Sequence, residues 1–185
     1  MRQLMVGAFI GAVFGAAFVV VNAHAPLPEP FGVILSILAI LAVCAIAAMS
    51  VVIRRRDQRE TPPEPASGAS MFGRGYRWVV LAEVVALVGG IAVLRLLRAP
   101  EEANVAWIAL VVGVHFIALA PVWKRVSIGV VGGILAVAGV AGLVMTATPA
   151  VAWVPIVSGV ASGVTLLASS TWAVARVASS AGASS

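Results

Sequence analysis

Six apolar stretches of membrane-spanning length, separated by short breaks, leave this chain few ways to fold. A hydrocarbon layer about 30 Å thick takes roughly 20 helical residues at about 1.5 Å each. Residues 3–22, 31–53, 78–97, 104–123, 126–146 and 151–175 meet that length. In lipid each backbone N–H and C=O must be satisfied within its own segment, so these stretches are expected to fold as helices. The expectation is an all-α, polytopic transmembrane bundle of six spans in a single domain. Composition agrees: 10% of residues are charged and 62% hydrophobic. A soluble domain carries about 25% charged residues, and this chain has too few to cover a water-facing surface.

The breaks carry turn chemistry. Ala25-Pro26-Leu27-Pro28-Glu29-Pro30 closes the first span, Ala99-Pro100-Glu101-Glu102 the third and Thr148-Pro149 the fifth. Lys124-Arg125 alone separates spans four and five, which requires a tight antiparallel hairpin. Residues 54–77 form the one substantial loop, basic and Pro-rich, and read as an extended linker. Residues 177–185 read as a disordered tail of small residues.

Charge sets the expected orientation. With the N-terminus inside, ten of the twelve basic residues lie on the inner face: Arg2, Arg54, Arg55, Arg56, Arg59, Arg74, Arg77, Lys124, Arg125 and Arg176. Only Arg95 and Arg98 lie on the outer face. Cytoplasmic loops carry the Lys and Arg excess, so both termini are expected in the cytoplasm. Trp78, Trp123 and Trp172 fall at inner span ends, and Trp107 and Trp153 at outer ends, as the interfacial preference of indole requires. The net charge of +5 is therefore an orientation signal and not a nucleic-acid footprint. An Ala/Val/Gly/Arg bias resembles that of GC-rich bacterial genomes, and the expected location is a bacterial inner membrane.

A cleavable signal peptide is the competing reading of span one, with Ala23-His24-Ala25 as the cut site. The apolar run from Leu4 to Val21 exceeds the usual core of about 7–15 residues, and Pro26 would follow the cut. A retained span is the expectation. Cys44 is the single cysteine, which excludes an intrachain disulfide and a multi-cysteine metal site.

An internal repeat is suggested by Val105–Val114 against Val151–Val160, and by Val88-Gly89-Gly90-Ile91 against Val131-Gly132-Gly133-Ile134. Spans three and four would then recur as five and six, as in transporters with parallel repeats, unless Ala/Val/Gly-rich helices simply match by chance.

Helix packing has a glycine signature. Gly7, Gly11 and Gly15 share a face of span one, and Gly129/Gly133 and Gly159/Gly163 repeat the four-residue spacing. Glycine lets backbones approach closely, which drives association where lipid supplies no hydrophobic force. Packing within the chain is the default; a homo-oligomer or a membrane partner through span one is the alternative. Arg54, Arg55, Arg56 and Arg59 suit contact with anionic inner-leaflet lipids, or act as stop-transfer charges alone.

Two ionisable residues lie well inside the spans: Glu83 in span three and His115 in span four. Glu83 is about 8 Å in from Trp78 and His115 about 12 Å in from Trp123, so their depths match within a helical turn. Insertion of such a group costs about 2.5 kcal/mol or more, so it normally faces the bundle and finds a partner. The pair reads as a proton-linked switch or relay, as a hydrogen-bonded clamp, or as two separate groups with Glu83 reaching Arg77. Ser158, Ser162 and Thr165 give span six a polar stripe, which suits an aqueous lining or bonds to backbone carbonyls. HExxH, Walker A and paired-aspartate motifs are absent, and Gly159-Val160-Ala161-Ser162-Gly163 lacks nucleophile-elbow spacing. No catalytic residue, metal ligand or cofactor site is assigned. The expected function is proton- or solute-linked transport, with a non-catalytic scaffold or partner subunit as the alternative and an intramembrane enzyme as a distant one.

Overall fold

The computed structural model describes residues 2–24, 26–60 and 74–182. Six helices long and apolar enough to cross a membrane run in order: α1 (Arg2–Asn22), α2 (Glu29–Glu60), α3 (Arg74–Leu96), α4 (Ala103–Trp123), α5 (Val126–Met145) and α6 (Ala161–Gly182). No strand occurs among the described residues. The last span enters through a 3₁₀ turn, Pro149–Trp153, and a π-helical stretch, Pro155–Val160.

One half of the bundle is a three-helix coil of α1, α2 and α6. Its core residues recur every seven positions: Met5, Ala12 and Val19; Ala39, Ile46 and Ile53; Val160, Leu167 and Val174. A 3.5-residue period keeps one seam facing the partner along the whole helix, the condition for left-handed coiled packing. Small residues complete the seam, and Gly15 meets Gly163 so closely that a Cβ on Gly163 would stand 2.5 Å from the Gly15 carbonyl oxygen.

The second half is the α4–α5 hairpin. On α5 the buried residues are Gly132, Leu135, Gly139 and Gly142, again in alternating steps of three and four. Gly113 of α4 crosses Gly132 backbone to backbone. Lys124 and Arg125 turn the chain by a Schellman motif: the Arg125 N–H donates to the Ala120 carbonyl at 2.9 Å and the Lys124 N–H to the Pro121 carbonyl at 3.2 Å. Lys124 takes the left-handed conformation, φ 53°, at a cost of about 1–2 kcal/mol for a side-chain-bearing residue. Phe18, Ala109, Val112, Leu135 and Leu166 form a second apolar cluster that joins the two halves.

Helix α3 stands apart. Its one extended packing partner is α4, and none of its 22-residue apolar window is buried.

Three boundaries and the course of the last span differ from the sequence expectations. Helix α2 continues through Glu60 and α3 begins at Arg74, so residues 54–60 and 74–77 of the expected loop are helical. Arg, Gln and Glu are good helix formers, and no breaker intervenes before Pro62. Helix α6 runs to Gly182 through most of the expected tail, because Val177, Ala178 and Ala181 sustain it and no proline stops it. The last span is not one regular helix: Pro155 lacks an N–H and its ring crowds the preceding turn, and π-helical bonding follows directly. Residues 61–73, with Pro62-Pro63-Glu64-Pro65, and residues 183–185 lie outside the described residues, as do the side chains of Arg54, Arg56 and Arg59.

The suggested repeat takes different structures in its two copies. Trp107 lies in regular α4, whereas Trp153 sits in the 3₁₀ turn and is half exposed. Gly90 is covered by Trp107, whereas its counterpart Gly133 has open space beside it.

Candidate functional site

The α3–α4 seam carries the chemistry of the bundle. Tyr76, Val79, Glu83, Ala86 and Gly90 are spaced by threes and fours, which places them on one stripe of α3. Tyr76 stacks on Trp123 at one end, with ring centroids 6.1 Å apart and 17° between planes. Toward the other end the Trp107 indole Nε1–H donates to the Ala86 carbonyl at 3.1 Å. Its ring fills the space where a Gly90 side chain would be.

Glu83 and His115 meet between these two fastenings. Oε2 of Glu83 lies 3.1 Å from Nδ1 of His115, with the side chains 19% and 11% exposed. The approach is short, but Nδ1 has no aligned hydrogen-bond partner. The imidazole also reaches the backbone of Val79, one turn from Glu83 on the same helix. The pair is therefore in contact without an aligned hydrogen bond. Most of each side chain is shielded, and a minor part remains open at the seam. Among the described residues no group of three His, Cys, Asp or Glu could hold a metal ion.

The hydroxyls of the last span do not share one lining. Ser158 is fully buried and its Oγ–H donates across to the Ala138 carbonyl of α5 at 2.8 Å. Ser162 is fully buried with no partner for its Oγ. Thr165 is half-buried and bonds back to the Ala161 carbonyl of its own helix at 2.8 Å. Two of the three are thus fully buried and the third is half-buried, bonded to its own helix.

The glycines separate in the same way. Gly15 is against Gly163, Gly11 against Ser170, Gly159 against Asn22 and Gly129 against Ala120, while Gly7 and Gly133 have nothing near them. The inner turns of the span-one run are thus engaged within the chain, by α6.

Sequence reasoning missed Trp107, Gly90, Tyr76, Gly113 and Gly132 as contact residues. Trp107 was expected at the membrane surface, but its indole N–H finds a carbonyl inside the seam, which satisfies it equally well. The α4–α5 crossing pairs glycines on different helices, a relation that spacing within one helix does not reveal. The available signal was the Val88-Gly89-Gly90 step in α3 near the level of an α4 tryptophan. Compared with known proteins, the chain matches no family model, no curated protein and no solved structure.

Proposed function

We propose that this chain is a proton-linked multi-pass membrane protein in which Glu83 and His115 carry the proton, alone or coupled to a small solute. The observation that supports this reading is the 3.1 Å approach of two ionisable side chains inside the spans. Each such group costs about 2.5–3.5 kcal/mol at the centre of a span. A seam already fastened by Tyr76–Trp123 and Trp107–Ala86 has little need of them for docking alone. Imidazole has two nitrogens, so it can take a proton on one side and release it on the other. Among the described residues the one extended packing partner of α3 is α4, so α3 can shift without opening the α1/α2/α6 core.

The test is pH-driven flux in vesicles reconstituted with purified protein. Glu83→Gln and His115→Ala are each expected to lower flux at least tenfold, with the helical content unchanged. Wild-type flux preserved in both variants overturns the reading.

The alternative is a non-catalytic membrane subunit. The exposed face of α3, where Gly89 has nothing within contact distance and Val85 and Val88 point outward, is the observation that favours it. Gly89→Leu is expected to abolish co-purification of a stoichiometric partner under that reading and to change nothing under the first.

A further inference from the structure

We infer that the α4–α5 turn carries a binding site for one anionic phospholipid. A groove of about 590 Å³ opens beside the turn, lined by Ala120, Pro121, Val126, Gly129 and Val130 with Lys124 and Arg125. No acidic residue lines it. Its walls are apolar on the hydrocarbon side, and two cations stand where the helices leave the membrane. That is the chemistry of a phosphate headgroup joined to acyl chains, and a free anion uses only half of it.

The backbone beneath the two cations is held in place. The Schellman turn fixes the backbone of both residues, so both side chains start from the rim of the groove. The adjacent Tyr76–Trp123 stack puts amphipathic rings at the same level, the depth at which headgroups lie. Val126 and Val130 are exposed, so an acyl chain can lie along them without displacing any packed side chain. Gly129 lets α5 approach Ala120 of α4, and the two residues lie together in the lining of the groove. The site is independent of Glu83 and His115, which act between α3 and α4.

The experiment uses the full-length protein in nanodiscs and measures lipid retention by native mass spectrometry. The probes are phosphatidylglycerol and phosphatidylcholine of equal chain length. Wild type is expected to retain phosphatidylglycerol about tenfold more than phosphatidylcholine. Lys124→Gln with Arg125→Gln is expected to erase that preference, since each basic residue near the surface attracts an anionic lipid measurably. Val126→Trp fills the groove and keeps both charges. It is expected to weaken retention about tenfold, whereas Arg95→Gln with Arg98→Gln removes two charges elsewhere and leaves it unchanged. Equal retention of the two lipids overturns the proposal, as does wild-type retention in either groove variant. Displacement of the lipid by millimolar inorganic phosphate overturns the acyl part of the site and with it the proposal.

Discussion

Gly7, Gly11 and Gly15 are identical in type and spacing, yet the structure gives them different work. A Cβ on Gly15 would stand 2.8 Å from the Gly163 carbonyl oxygen, a backbone atom that cannot swing away. A Cβ on Gly11 would stand 2.8 Å from the Ser170 hydroxyl, which can rotate, and one on Gly7 meets nothing. Overpacking a close helix contact costs about 1–3 kcal/mol. Gly15→Leu is therefore expected to lower stability toward the upper end of that range, read as unfolding in mixed micelles. Gly7→Leu is expected to stay within about 0.5 kcal/mol of wild type. Equal losses at both positions would mean that the α1–α6 contact is not the one described. The residue pattern alone marks all three glycines and cannot rank them, because what decides is the atom on the facing helix. Glu83 and His115 were easier to find, since an ionisable side chain stands out against an apolar span.

Packing registers were harder to read for a physical reason. Met5, Ala12 and Val19 recur in perfect sevens, but the residues between them are apolar too. In water an apolar stripe contrasts with a polar face; in lipid both faces are apolar, so periodicity loses its contrast. Spans and breaks were legible because prolines and charges interrupt the hydropathy, and the seams were not. Helix α3 shows the consequence, since its stripe mixes Tyr76, Glu83, Ala86 and Gly90 and no hydrophobic count would select it. Its attachment is polar and aromatic, so removing one bond should loosen this helix selectively. Trp107→Phe keeps an aromatic side chain in the seam, deletes the N–H donated to Ala86 and shortens the ring over Gly90. The loss is expected to be about 1 kcal/mol. It is read as faster amide hydrogen exchange across α3, with α1 and α6 unchanged. Uniform acceleration throughout the bundle would show that α3 is not the separable element its packing implies.

The assembled chain adds a constraint that no helix carries alone. If all six helices cross the membrane, the start of α1 and the end of α6 fall on the same side, whichever side that is. The turn at Lys124-Arg125 and the start of α3 then share a face with the termini, and the α3–α4 connection at Pro100-Glu101 lies opposite. The Tyr76–Trp123 stack agrees, joining the start of α3 to the end of α4. Charge predicts one of the two orientations: the face holding Arg77, Lys124, Arg125 and Arg176 is the basic one, and the Lys and Arg excess is expected on the cytoplasmic side. Labelling of single cysteines tests the choice in a Cys44→Ser background, since Cys44 is an exposed free thiol. Glu101→Cys is expected to react with a membrane-impermeant maleimide in intact cells. Arg77→Cys is expected to react only after permeabilisation. The opposite pattern would invert the bundle and move the α4–α5 groove to the outer leaflet. Labelling of both sites from outside would break the six-span count itself, because Arg77 and Glu101 bracket a single crossing by α3.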